Sequence, residues 1–197
     1  MSITVEHDKR RNGILEKALD VFMEEGYEDT TLQKIADKCR ITRTTLYLYF
    51  KNKKEIFSYS IKLMLLKFEN VILKIQNDSS LNAADKITKI LLDIIKLLEK
   101  NRRLLIVVMD YLLYLSRSDT DPDQRVRRRT IRLRHILSTM LIEGVKKGEL
   151  SPVNIKLTND YLYSFIEAAI FRLGVLRWNS VDDLHETIIQ AIKYLKR

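Results

Sequence analysis

The chain has 197 residues, 46% of them hydrophobic, with five Gly, two Pro and a single Cys. That is enough apolar content for a core, too few turn formers for a strand-dense protein, and no cysteine pair for an internal disulfide. The net charge of +9 is unevenly placed, because residues 1–53 hold ten Lys/Arg against nine Asp/Glu while residues 54–197 hold 25 against 17.

Helical periodicity runs through nearly the whole chain. A first helix spans roughly Arg11 to Glu25, with Ile14, Ala18, Val21 and Phe22 on one face and Gly26 as its stop. Thr30 with Gln33 reads as a capping box for a second helix whose apolar set is Leu32, Ile35, Ala36 and Cys39. Thr42 caps a short third helix carrying Leu46 and Phe50 inward, and Asn52 with Glu55 opens a long fourth helix to about Gln76. "NDSSLNAAD" is a polar break before an amphipathic helix over 84–99. "NRRLLIVVMDYLLYLSR" is apolar on almost every side and is expected to be a central buried helix. Asp121 as N-cap and Pro122 in the first turn start a helix reaching about Lys147, with Gly148 just beyond it. Helices over 156–178 and from a Ser180/Asp183 cap to the C-terminus complete an all-α fold of about nine helices, without strands or internal repeats.

No uninterrupted apolar run reaches the roughly 18 residues of a spanning helix, and "MSITVEHDKRRNG" lacks the apolar core of a secretory signal. His7, His135 and His185 show no metal-ligand spacing, and no nucleophile–base pairing stands out. A cytoplasmic protein without membrane, metal, cofactor or enzymatic activity is therefore expected, and the lone Cys39 suits a reducing compartment.

Residues 32–50 describe helix, tight turn, helix: the helix-turn-helix arrangement, whose second helix enters the DNA major groove. This accounts for the odd composition of "ITRTTLYLYFKNKKEIF", since Thr is a mediocre helix former and exposed Tyr is unusual. Thr42, Arg43, Thr44 and Thr45 form an exposed first turn, with hydroxyls for phosphates and a guanidinium able to bind guanine in bidentate fashion. Tyr47 and Tyr49 follow, their phenols within reach of phosphates and their rings of thymine methyls. Lys53, opening the next helix, and Thr31, opening the second, are suited to phosphates as well. Any one of these could be a cap or a half-buried core residue; the group as a whole points to double-stranded DNA.

Ile14–Phe57, "ILEKALDVFMEEGYEDTTLQKIADKCRITRTTLYLYFKNKKEIF", resembles the N-terminal domain of the tetracycline-repressor (TetR) family of bacterial regulators. The resemblance rests on Ile14, Ala18 and Phe22 at four-residue spacing, on "EGYEDTT", on Ile35–Ala36 and on "TLYLYFKNKKEIF". Beyond it the match extends only to helix number and length. Two departures stand out: Arg40 and Thr44 occupy positions where the family normally and often, respectively, has Gly. The first implies a non-glycine residue in the left-handed region, at a cost of about 1 kcal/mol.

The resemblance implies a DNA-binding domain over 1–53 and an effector-binding and dimerisation domain over 54–197, whose last two helices meet their copies in a four-helix interface. Independently, the helix over 161–178 leaves almost no polar face and requires cover on both sides. The expected interface is Phe165, Ile166, Ala169 and Leu173 with Ile188 and Ile192. In the helix after Pro122, Arg127, Arg128, Arg132 and Arg134 fall on a solvated face, whereas Arg129 lies on the apolar edge. Asp110 is the one charge in the run Leu104–Leu115. Either these two pair, or they face a ligand cavity walled by Tyr111, Tyr114, Phe171 and Trp178. The implied protein is a homodimeric regulator on a pseudo-palindromic operator, a repressor released by a small-molecule effector. An activator of the same fold and a non-specific basic DNA-binding protein are the alternatives.

Overall fold

A computed structural model describes residues 3–117 and 124–197. Among these are nine α-helices and no strand: α1 (Ile3–Asp29), α2 (Leu32–Cys39), α3 (Arg43–Tyr47), α4 (Lys53–Gln76), α5 (Ala83–Lys100), α6 (Arg102–Arg117), α7 (Gln124–Lys146), α8 (Ile155–Ile170) and α9 (Asp182–Lys193). A π-helical turn, Phe171–Val175, prolongs α8. The expected start of α7 at Asp121 and Pro122 lies outside the described residues. The chain forms two compact units, Met1–Val71 and Ile72–Arg197. They divide within α4, later than the functional boundary expected at residue 53, because Ile56, Phe57 and Ser60 of α4 are buried and Ser60 donates to the Leu15 carbonyl of α1 over 2.8 Å.

In the first unit α1 begins earlier than the periodicity suggests and breaks at Gly26, whose φ of 83° only glycine adopts readily. Its face Ile14, Ala18, Val21 and Phe22 is buried with Ile35, Ala36, Leu46, Phe50, Ile56 and Phe57. Phe57 meets Phe22 edge-on with ring centroids 4.7 Å apart, and Tyr27 at 4.9 Å. The cap of α2 falls one residue later than expected. Thr30 is buried and gives its hydroxyl to the Gly26 carbonyl, so Thr31 accepts from the Lys34 amide instead, and Gln33 turns to Asp37.

In the second unit the amphipathic α5 is the central helix, packing against α6, α7, α8 and α9. Its Ile87, Ile90, Leu91 and Ile95 are fully enclosed. Asn82 caps it through the Asp85 amide, and Glu149 accepts from the Ala83 amide. The expectation of a central α6 is overturned: it buries one face, Leu104, Val107, Tyr111 and Leu115, and leaves Leu113 and Tyr114 exposed. The α9 cap also differs. Glu99 of α5 accepts from the Val181 amide, Ser180 accepts from Asp182, and Asp183 pairs with Arg172.

Candidate nucleic-acid interface

The turn between α2 and α3 is built by Arg40, which sits in the left-handed region at φ 56°, ψ 45°. The Arg40 and Ile41 amides then donate to the Asp37 and Ala36 carbonyls, closing the end of α2 within three residues. Thr42 follows in extended backbone. Its hydroxyl accepts from the Thr45 amide over 3.1 Å and lies 2.8 Å from the Thr45 hydroxyl. Two of the predicted phosphate ligands therefore form one pair at the head of α3.

Leu46 and Phe50 anchor the helix inward and are 1% and 3% exposed. Arg43, Thr44 and Tyr47 are exposed. The Arg43 guanidinium donates to the Tyr47 hydroxyl over 3.0 Å and lies 5.6 Å from its ring centroid. Tyr49 is half-buried and stacks on His7 of α1, with centroids 4.7 Å apart. Sequence reasoning missed this partner because the first helix was expected to begin only at Arg11.

Lys53 heads α4, where Asn52 accepts from the Glu55 amide and Glu55 reaches back to the Lys51 amide. Its ammonium donates to the Glu28 carbonyl over 2.8 Å and lies 4.8 Å from the Tyr27 centroid. Burial lowers its pKa from the usual lysine range, with Glu28 and Asp29 pulling the other way. In the free protein Lys53 thus holds the α1–α2 connection as well as flanking the exposed face. The eight predicted DNA-contact residues lie on or beside the α2–α3 segment, and Tyr49 and Lys53 have partners on α1.

The remaining candidates are distributed differently. Asp110 is exposed, so it needs no buried partner. Tyr111 is buried, but Tyr114, Phe171 and Trp178 are 47%, 53% and 46% exposed, so they are not walls of an enclosed cavity within one chain. The Arg129 side chain lies outside the described residues. Trp178 stacks under Arg172 at 5.2 Å, while Arg102 donates to the Arg177 and Trp178 carbonyls and to the Asn179 side chain. Among the described residues no cluster of His, Cys, Asp and Glu could hold a metal ion, and no helix is long and apolar enough to cross a membrane.

The six residues expected at a dimer interface are all buried in their own chain, Ala169, Leu173 and Ile188 completely. An all-round apolar helix has two apolar faces; Phe165, Ile166, Ala169 and Leu173 belong to the inner one, and Ile188 and Ile192 are buried on α9. The outer face carries Leu157, Tyr161, Ser164, Ala168, Phe171 and Val175, at alternating spacings of four and three. Four of them are half or more exposed: Leu157, Tyr161, Phe171 and Val175. That spacing is the signature of a coiled-coil seam.

Residues 14–59 match the family described as "Bacterial regulatory proteins, tetR family". The fatty acid metabolism regulator protein of Bacillus subtilis (strain 168) is 27% identical over 160 residues, 80% of this chain and 79% of that protein. The biofilm operon icaADBC HTH-type negative transcriptional regulator IcaR of Staphylococcus aureus (strain Newman) is 36% identical over 70 residues, 36% of this chain and 38% of that protein. Among solved structures, the transcriptional regulator FadR from Bacillus subtilis in complex with stearoyl-CoA has the same fold. Its TM-score is 0.71 at 23% identity, covering 91% of this chain and 96% of that one.

Proposed function

Since the chain belongs to the TetR family of bacterial regulatory proteins, we propose that it works as a cytoplasmic homodimer, without catalysis, repressing transcription from a pseudo-palindromic operator until an acyl-coenzyme A thioester releases it. The observation that carries the DNA half is the exposed Thr42–Tyr47 surface, held outward by Leu46 and Phe50. Arg43 serves base reading, with Thr42, Thr44, Thr45 and Tyr47 beside it, and Thr31, Tyr49 and Lys53 at its flanks, serving phosphates and register. Two copies present two such helices, and successive major grooves on one face of the duplex lie about 34–36 Å apart.

The dimer reading rests on the outer face of α8. Leu157, Tyr161, Phe171 and Val175 expose apolar surface along one face, and the small Ser164 and Ala168 between them permit close helix approach.

The effector class is supported from two directions. Relatives include the fatty acid metabolism regulator and the fold neighbour solved with stearoyl-CoA. Residues 54–197 also hold 25 Lys/Arg against 17 Asp/Glu, which suits a ligand bearing several phosphates. Release requires only that the ligand prefer a state in which the two recognition helices are wrongly spaced. Helix α4 carries residues of both compact units and is the covalent lever.

The test selects operator duplexes from a random pool with the purified protein, then titrates the complex with stearoyl-CoA, free coenzyme A, stearate and a cationic lipophile, following anisotropy. Release by stearoyl-CoA at concentrations where coenzyme A is inert supports the reading. Release by the cationic lipophile alone sinks the effector assignment, and equal affinity for all duplexes sinks the regulator assignment.

A further inference from the structure

Leu48 is the most exposed large aliphatic side chain among the described residues, at 76%. It follows α3 directly, in right-handed helical backbone at φ −67°, ψ −22°, with its amide donating to the Thr45 carbonyl over 3.2 Å. The helical turn continues past it, because the Tyr49 and Phe50 amides both donate to the Leu46 carbonyl. Side chains four apart on such a turn share a face. Leu48 therefore stands beside Thr44, on the ridge opposite Leu46 and Phe50. Those two are buried, so the Thr44–Leu48 ridge points farthest from the core of the first unit.

Isolated surface leucines are ordinary. This one interrupts an otherwise polar surface: from Thr42 to Tyr47 the outward groups are hydroxyls, a guanidinium and a phenol. Each of those has hydrogen-bonding partners to offer a duplex, and Leu48 has only hydrocarbon. In a major groove the one hydrocarbon group on a base edge is the thymine C5-methyl, and cytosine presents an amino donor and no methyl at the corresponding edge. We propose that Leu48 is a specificity residue that reads a thymine methyl in each operator half-site, rejecting cytosine by leaving its amino group without a partner. The inference rests on the regulator reading above and adds to it a residue and the base feature that it reads.

The experiment uses the full-length protein and an operator selected from a random pool. Each thymidine is replaced singly by deoxyuridine, which deletes only the methyl group, and binding is measured for the wild type, Leu48→Ala and Arg43→Ala. Removing one buried methyl changes affinity by about fourfold. The expected result is one thymidine per half-site whose replacement weakens the wild type by about that factor. The same replacement leaves Leu48→Ala unaffected and keeps its full effect in Arg43→Ala. Leu48→Ala should melt as the wild type does, because the side chain is exposed. If Leu48→Ala retains the wild-type penalty at every thymidine while the wild type still selects an operator, this inference alone is overturned. If the wild type selects no sequence, the regulator reading falls and this inference falls with it.

Discussion

Arg43 and Tyr47, one helical turn apart, are joined twice. The guanidinium donates to the phenol oxygen over 3.0 Å and rests 5.6 Å from the ring centroid. The pair leaves the Arg43 guanidinium partly organised in the free protein, so losing either partner should affect the other's contribution. Arg43→Ala should cost about 1–3 kcal/mol of operator affinity and relax preference at one base pair. Tyr47→Phe keeps the ring and removes the acceptor. A double-mutant cycle on operator binding should give a coupling of at least about 0.5 kcal/mol. Strict additivity would mean the pair does not persist in the complex.

At the turn, Arg40 holds a positive φ of 56° without the freedom of glycine. Arg40→Gly should be neutral or stabilising by up to about 1 kcal/mol, the steric relief being offset by chain entropy. Arg40→Val, whose branched side chain tolerates that region worst, should lower the melting temperature. Thermal melts with operator binding in parallel check both, and a clear loss of stability in Arg40→Gly contradicts the left-handed turn.

Charge substitutions separate the outer face of α8 from the core of the second unit. Tyr161→Glu and Phe171→Glu act on side chains 51% and 53% exposed, so they should yield folded monomers that no longer hold the operator. Phe165→Glu and Ile188→Glu, at 7% and 0% exposure, bury an unpaired carboxylate and should cost about 3–5 kcal/mol of folding stability. Sedimentation velocity and circular dichroism on the four variants distinguish dissociation from unfolding. Stable dimers in the first two variants would move the interface away from this seam.

Two helical glycines should respond to alanine in opposite directions. A Cβ at Gly13 meets nothing within 4 Å, so Gly13→Ala should gain about 0.5–1 kcal/mol of helix propensity. At Gly144 the same carbon would stand 2.6 Å from the Ala83 Cβ and 2.6 Å from a Leu150 methyl. There the clash outweighs the propensity, and Gly144→Ala should lose about 1–3 kcal/mol. Urea denaturation of the two variants is a direct test.

The Cys39 thiol lies 3.9 Å from the Ile14 carbonyl, and burial pushes its pKa above the usual 9.0, with Lys17 opposing. Iodoacetamide at pH 8 should therefore modify the native protein more slowly than a free thiol, and denaturant should restore the ordinary rate. Because the folded value is raised, the stability linked to this thiol is complete below the unfolded pKa and declines as pH rises through the folded one. Native labelling at the free-thiol rate would show that α1 and α2 open readily around Cys39.

Several helix boundaries with local causes were legible, although the α2 cap, itself local, fell one residue from the expected Thr30. Asn52 caps α4 and Gly148 ends α7 through groups within a few residues, so sequence spacing suffices. The helix-turn-helix and its exposed hydroxyl and guanidinium face were legible for the same reason, because α2, α3 and their caps occupy a single short stretch. Contacts between distant segments were not. Glu99 caps α9 across the chain, Tyr49 finds His7, and Lys53 finds the Glu28 carbonyl. The α8 helix shows the limit best. Its sequence alone required cover on two sides, but Phe165 and Tyr161 are both aromatic, and hydrophobicity has no direction that says which faces inward. Only the packing of α5, α7 and α9 against α8 decided that Phe165 lies in the core and Tyr161 remains for a partner.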